Sequence, residues 1–333
     1  MKKVVILHSD IATDGSLDEL DCLVQAEAIA DAVRTLHYEP VLLPFELNLN
    51  RTITMLQSLK PAVVFNIVET LDSKGSLIHF APAVLDVLQI PYTGCPTHAI
   101  YLTSNKPTAK KIMRDAGIAT PDWLEQNGII FRQDDGGKFL IKSSWEHASI
   151  GLDENSLISY TDKTAIIKEM KLREKKLGGS CYAEAYIDGR EFNVALMSDQ
   201  AGARVLPIAE MLFQDYAPDK LKIVDYKAKW DADSFEYNNT VRKFNFDDED
   251  ALLISSLQDI ALQCWNIFSL RGYARVDFRV DKNNKPWVLE VNTNPCLSPD
   301  AGFAAALERA EIKYHEAIGL IIDNALKSIS KEI

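Results

Sequence analysis

The chain has 333 residues, 47% of them hydrophobic, and a formal net charge of −12 with acidic residues spread along its length. It is long enough to bury a sizeable core in two or three lobes, and its acidity argues against nucleic acid as a partner, because that polyanion needs clustered Lys and Arg. There is no run of eighteen or more apolar residues, so no membrane span is expected.

Met1-Lys2-Lys3 leads into only four apolar residues, Val4 to Leu7, before the acidic Asp10 and Asp14. That is a first strand, Val4–His8, and not a signal peptide, so a cytoplasmic protein is expected. Leu17, Leu20, Val24, Ala28 and Val33 follow at helical spacing. Val41–Leu43 and Ala62–Ile67 read as buried strands, and Ser76–Leu88 as a helix with Leu77, Phe80, Val84 and Leu88 on one face. Pro91-Tyr92-Thr93-Gly94 closes this unit, whose strand–helix alternation implies a parallel sheet with helices on its faces.

Two short helices, near 97–103 and 105–116, lead to strands at Gly128–Phe131 and Lys138–Lys142. Asp134-Asp135-Gly136-Gly137 between them has the composition of a hairpin turn. A charged helix over Lys163–Lys176 and a strand at Cys181–Ile187 complete a small α+β unit. Ile187-Asp188-Gly189-Arg190-Glu191 reads as a second hairpin, followed by an irregular polar stretch over 215–240. Then come an amphipathic helix over Asp248–Ser269, strands Tyr273–Asp281 and Trp287–Val291 joined by Asn283-Asn284, and a helical tail over 301–330. The five cysteines (Cys22, Cys95, Cys181, Cys264 and Cys296) show no CxxC spacing, which points to free thiols and away from structural zinc.

Chemistry concentrates near the end, in Arg275-Val276-Asp277-Phe278 and Leu289-Glu290-Val291-Asn292-Thr293-Asn294-Pro295. Alternation along a strand puts Arg275 and Asp277 on one face, and Glu290 and Asn292 on one face. If the two strands pair, Asp277, Glu290 and Asn292 offer three hard oxygen donors beside an arginine, a set suited to Mg²⁺. A merely solvated face fits poorly with neighbours as apolar as Val276, Phe278, Val288 and Val291, since buried polar groups need partners. Three lysines lie at strand ends or in polar loops: Lys106, Lys142 and Lys229. Lys142 ends an apolar strand and precedes Ser143 to Gly151, a small-residue loop whose amides could cradle phosphate.

In order, Pro91 to Gly94, Asn105-Lys106, Gly117 to Pro121, Lys142 with its loop, Glu184 to Glu191, Asp225 to Trp230, Arg275 to Phe278 and Glu290 to Pro295 resemble the D-alanine–D-alanine ligase branch of the ATP-grasp enzymes. The resemblance spans nearly the whole chain. It implies a mixed α/β and α+β ATP-grasp fold with an N-terminal Rossmann-like (preATP-grasp) α/β lobe over 1–95, a central lobe over 96–186 and a C-terminal lobe over 187–333. It further implies an ATP-dependent ligase joining a small-molecule carboxylate to an amine through an acyl phosphate. Lys106, Lys142 and Lys229 would contact ATP phosphates under a loop carrying Ser149 and Gly151. Glu184, with the main chain at Tyr186 and Ile187, would hold adenine, and Glu191 the ribose. Asp277, Glu290 and Asn292 would bind two Mg²⁺ ions, for which Mn²⁺ is a substitute, and Arg275 would stabilise the intermediates. A homodimer is compatible with the resemblance, although no sequence feature requires one.

The substrate residues depart from the family pattern more than the nucleotide residues do. Cys296 stands where the family typically has Gly, Trp230 where it has Tyr, and Ala148 where it has the first Ser of a pair. Asp300 lies where a Ser would hold the acceptor's carboxylate, and an acid there would repel that group. Asp18 or Glu19 stands near the family's ammonium-binding carboxylate. Asn66 and Glu69 are either substrate contacts or loop formers. The departures favour amino acid-like substrates other than two D-alanines. A true D-alanine–D-alanine ligase and a non-catalytic nucleotide-binding sensor or scaffold are the alternatives.

Overall fold

The computed structural model describes residues 1–12, 14–127, 130–131, 137–146, 149–159, 162–199 and 202–328, with the backbone alone at 130, 131, 154 and 328. The opening alternation is β1 (Lys3–Ser9), α1 (Leu17–Thr35), β2 (Glu39–Phe45), α2 (Leu49–Leu59), β3 (Val63–Ile67) and α3 (Phe80–Leu88). Its strands form a parallel sheet in the order β2–β1–β3. Val4 to Leu7 of the central strand are wholly inaccessible, as expected of a strand covered on both faces. Periodicity does not announce α2, whose only buried residues are Thr52 and Leu56.

The face of α1 turned to the core is not the one its leucines suggest. Cys22, Ala26, Ile29, Ala30 and Val33 are buried, whereas Leu17 and Val24 are 53% and 57% exposed. Cys22 still reaches the core in the first two turns, so it is the opposite side of the helix that carries Leu17 and Val24 away from it.

After α4 (Thr97–Ser104) and α5 (Lys106–Asp115) comes the second sheet. Its elements are β4 (Trp123–Glu125), β5 (Ile130–Phe131), β6 (Lys138–Ser143), β7 (Leu157–Ser159), α6 (Lys163–Arg173) and β8 (Cys181–Ala185), and its strand order is β5–β4–β8–β6–β7. The expected hairpin between β5 and β6 is therefore not formed: β5 pairs with β4, while β6 pairs with β7 and β8. Turn-forming residues signal a reversal of the chain and leave its partner strand open. Of that turn, 134–136 lie outside the described residues, as do 128–129 of the strand before it and Ala148 of the later loop.

The third sheet runs β12–β11–β9–β13–β14, with β10 on β9. It is built from β9 (Arg190–Asp199), β10 (Gly202–Val205), β11 (Ala209–Phe213), β12 (Thr240–Lys243), β13 (Tyr273–Val280) and β14 (Pro286–Asn292). The stretch expected to be irregular holds two short helices, α7 (Tyr226–Trp230) and α8 (Phe235–Asn239). Next comes α9 (Ala251–Ile267), and α10 (Gly302–Arg309) and α11 (Tyr314–Ser328) follow the sheet. Helices α4 and α5 pack with α9 on this sheet through Ala99, Met113, Leu257 and Val276. On its other side, Ala195 and Tyr273 share one core with α1, with the first sheet and with Ile318 and Ile322 of α11.

Asp188-Gly189 is not a hairpin tip either, because β8 and β9 belong to different sheets. Gly189 carries the chain across with φ of +147°, and a Cβ on it would lie 2.0 Å from the carbonyl oxygen of Val280. Arg279 Nη1 donates to the Gly189 carbonyl at 2.9 Å, fixing the crossing beside the site. Gly189→Ala combines a disfavoured φ with a backbone clash. It is expected to destabilise the protein by about 1–3 kcal/mol or more, read as a lower midpoint in urea unfolding.

Candidate active site

Strands β13 and β14 pair antiparallel, with Arg275 opposite Asn292 and Asp277 opposite Glu290. Directly opposed residues point to the same face, so one register assembles all four side chains. Arg275 grips Asp277 through two bonds, Nε to Oδ1 at 2.7 Å and Nη2 to Oδ2 at 2.8 Å. Asn193 of β9 donates a third to Oδ1 at 2.8 Å. The Asn292 amide oxygen accepts from the Asn294 N–H at 2.9 Å. Two carboxylates and one amide are hard oxygen donors. Among the described residues no group of three His, Cys, Asp or Glu side chains is placed to hold a metal. Hard oxygen donors of this kind suit a Mg²⁺ ion that completes its shell with water and phosphate oxygens.

The lysines approach the same space from other elements. Asn105 caps α5 by accepting from the Thr108 N–H, which sets Lys106 at the first turn. Lys106 is 8% exposed and donates to the Glu146 carbonyl at 2.7 Å. Lys142 of β6 is ion-paired with Glu184 of β8, and the other oxygen of Glu184 receives Lys110 at 2.7 Å. Lys110 is completely buried and also donates to Thr120 Oγ1 at 2.7 Å. Burial alone would raise the Glu184 carboxyl, but Lys110 and Lys142 outweigh it and hold the group below the ordinary carboxylate range. Lys229 stands on α7, which Asp225 caps through the Ala228 N–H and which the Tyr226 hydroxyl ties to Asp18 of α1 at 2.8 Å. Burial, reinforced by Arg275, pushes the Lys229 ammonium down. Glu191 of β9, 7% exposed, lies 3.4 Å from Arg279, and burial pushes its carboxyl up.

Strands of the second and third sheets, together with α1 and the segment after β3, enclose a cavity of about 750 Å³. Lys106, Lys142 and Lys229 line it, as do Arg275, Asp277, Glu290 and Asn292. So do Ser149, Glu184, Tyr186, Ile187 and Glu191, and of the substrate candidates Glu69, Trp230, Cys296 and Asp300. Gly151 does not line it; with φ of +70° it turns the loop where a Cβ would meet Leu177 at 2.6 Å. Three substrate candidates serve the framework instead. Glu19 receives the N–H and hydroxyl of Ser16 at the start of α1, Asp18 receives Tyr226, and Asn66 near the end of β3 accepts from the Val68 N–H just beyond it.

Other residues here are ones that motif reading passes over. Asp21 accepts from the Cys296 thiol at 3.0 Å and from the Ser298 hydroxyl at 3.0 and 3.1 Å. Arg242 of β12 lines the cavity and donates to the Asp300 carbonyl at 3.2 Å. Glu146 accepts from the Gly75 N–H at 3.1 Å. Helical spacing was the available signal for two of the missed residues: Lys110 is one turn from Lys106, and Asp21 one turn from Leu17. Burial, with Asp21 and Asp18 adding to it, pushes the Glu69 carboxyl up to about 8, against the pull of Arg275 and Lys229.

A family model described as "D-ala D-ala ligase C-terminus" matches residues 138–323, more than half of the chain. The chain belongs to the D-alanine–D-alanine ligase family. It is thus an ATP-dependent carbon–nitrogen ligase with the ATP-grasp fold. The D-alanine–D-alanine ligase of Aquifex aeolicus is 27% identical over 324 residues, 96% of this chain and 99% of that one. A Sinorhizobium fredii protein known only as "Uncharacterized protein y4sG" is 31% identical over 265 residues, 79% of this chain and 74% of its own. The crystal structure of the Bacillus anthracis D-alanine–D-alanine ligase complexed with ATP superposes with a TM-score of 0.73, at 19% identity and covering 100% of both chains. Among the described residues no helix of this ligase is long and apolar enough to cross a membrane.

Two outcomes follow from the buried charges of the ligase. Lys110→Met strips a buried carboxylate of one partner and is expected to cost about 3–5 kcal/mol in chemical denaturation. Glu69 carries a folded pKa of about 8 against an ordinary 4.5, so the folded state holds an extra proton between these values. Its contribution to stability is full below about 4.5 and is lost as pH rises through 8. Glu69→Gln is expected to remove that decline from the melting temperature measured across the same range.

Proposed function

We propose that this ligase joins the carboxylate of one amino acid-like substrate to the amine of another, using ATP and Mg²⁺, and that the pair is not two D-alanines. The observation that carries the reading is the convergence of Arg275, Asp277, Glu290 and Asn292 with Lys106, Lys142 and Lys229 on one cavity. A carboxylate is a poor electrophile. It therefore attacks the γ-phosphorus of ATP, ADP departs, and the resulting acyl phosphate carries a good leaving group. The amine then attacks the carbonyl carbon and inorganic phosphate leaves. No protein nucleophile is needed; positioning and charge neutralisation supply the rate.

In this reading Lys106, Lys142 and Lys229 neutralise the phosphates. Glu184, with both oxygens occupied by lysines, acts by aiming Lys142 and not on the adenine. The base would lie against Leu140, Ile187 and Leu289, which line the cavity, and Glu191 would take the ribose. Arg275 would donate to the oxygen that gains charge when the amine adds. Asp277, Glu290 and Asn292 would hold two Mg²⁺ ions, or Mn²⁺ in their place, and the metal would supply charge neutralisation at the phosphate oxygens. Water must be kept from the acyl phosphate. Ser149 Oγ donates to the Val224 carbonyl at 3.0 Å, fastening the loop to the segment that leads into α7 and Lys229. Substrates other than two D-alanines are supported by Cys296, Asp300 and Asp21, a polar and acidic group at the substrate end of the cavity.

The test is ADP release with ATP and Mg²⁺ over single and paired amino acids of both configurations. One mixed pair is expected to stimulate release, and Glu290→Ala to reduce it by about 100-fold or more. Stimulation by D-alanine alone at least as strong as by any other pair would overturn the substrate assignment.

A further inference from the structure

Helix α1 is lined twice. Its inner face packs on the first sheet, while Leu17, Leu20, Asp21 and Val24, spaced i, i+3, i+4 and i+7, form a stripe on which all four line the cavity. This stripe is distinct from the apolar slot formed by Leu140 of β6, Met211 of β11 and Leu289 of β14, because those strands belong to the other two sheets. Trp230 and Tyr237 line the same cavity from α7 and α8, and the Tyr226–Asp18 bond holds α7 against α1. A folded protein seldom presents two large side chains more than half exposed on one helical stripe inside a cavity unless something apolar is to cover them.

We propose that the substrate seated against α1 is an amino acid with a large apolar side chain, of leucine or phenylalanine size, read by Leu17, Leu20 and Val24. This rests on the ligase reading and names the class of one of its two substrates. The gain from apolar contact scales with the area covered, so a methyl group would leave most of the stripe wet while an isobutyl or benzyl group would cover it. Asp21 sits within the same stripe, held by Cys296 and Ser298, and so offers a carboxylate to the ammonium of an amino acid lying along it.

The test titrates alanine, leucine and phenylalanine, in both configurations, into the full chain with Mg²⁺ and a non-hydrolysable ATP analogue, by calorimetry. Leucine or phenylalanine is expected to bind about tenfold or more tightly than alanine of the same configuration. Leu17→Ser with Val24→Ser should cut that preference to about threefold or less, with analogue affinity and melting temperature unchanged. Leu20→Trp, which fills the space, should weaken phenylalanine while sparing alanine. The proposal falls if alanine binds as tightly as the larger amino acids, if none of them binds, or if the double variant keeps the preference. Selective binding with no ADP release from ATP would sustain this inference and remove the ligase reading. ADP release driven best by alanine would do the reverse.

Discussion

The antiparallel register of β13 against β14 is the constraint on which the site depends. Side chains alternate along a strand, so a slip of one residue would turn Val276 and Val291 toward the cavity and send the ionic groups into the core. The apolar partners of this face, Val276, Phe278, Val288 and Val291, are all 2% exposed or less and hold the register by their own burial. The ladder shifts between Asp277 and Phe278, so the irregularity lies next to the residues of interest. Arg275 then allows Asp277 and Glu290 to face each other by supplying a positive charge on the same surface.

An acidic chain gathers its cations by pairing them. Lys142 is positioned by Glu184, and Glu184 can be buried because Lys110 lies behind it. Lys229 is placed by the fold of a short helix whose own start is capped by Asp225. Lys106, Lys142 and Lys229 are thus set in place by contacts within the fold: a main-chain carbonyl, a paired carboxylate and a capped helix.

Much of this was legible beforehand because it rests on local rules. Alternating apolar runs marked the parallel sheet, and the Arg-x-Asp and Glu-x-Asn spacings placed four side chains on one face once their strands paired. What the residues did not disclose was partnership. Asp-Gly at 188–189 and the acidic turn near 134 are written in the same turn chemistry, yet the first joins two sheets and the second joins strands that are not neighbours. Lys110 was passed over although it lies one turn from Lys106, because a buried lysine within a helix looks like a surface one until its carboxylate is known. The leucines of α1 misled for a related reason: a periodic apolar stripe marks a surface to be covered, and says nothing of whether protein or ligand covers it.

The first sheet shares its core with α11, where Ile318, Ile321 and Ile322 pack with Ile29 and Val33 of α1. During synthesis these strands and α1 must therefore wait, with one flank uncovered, for a helix that follows much later in the chain. A lobe made early in this chain is completed only when a later helix reaches it, and the flank left open in the interval is apolar surface prone to wrong contacts.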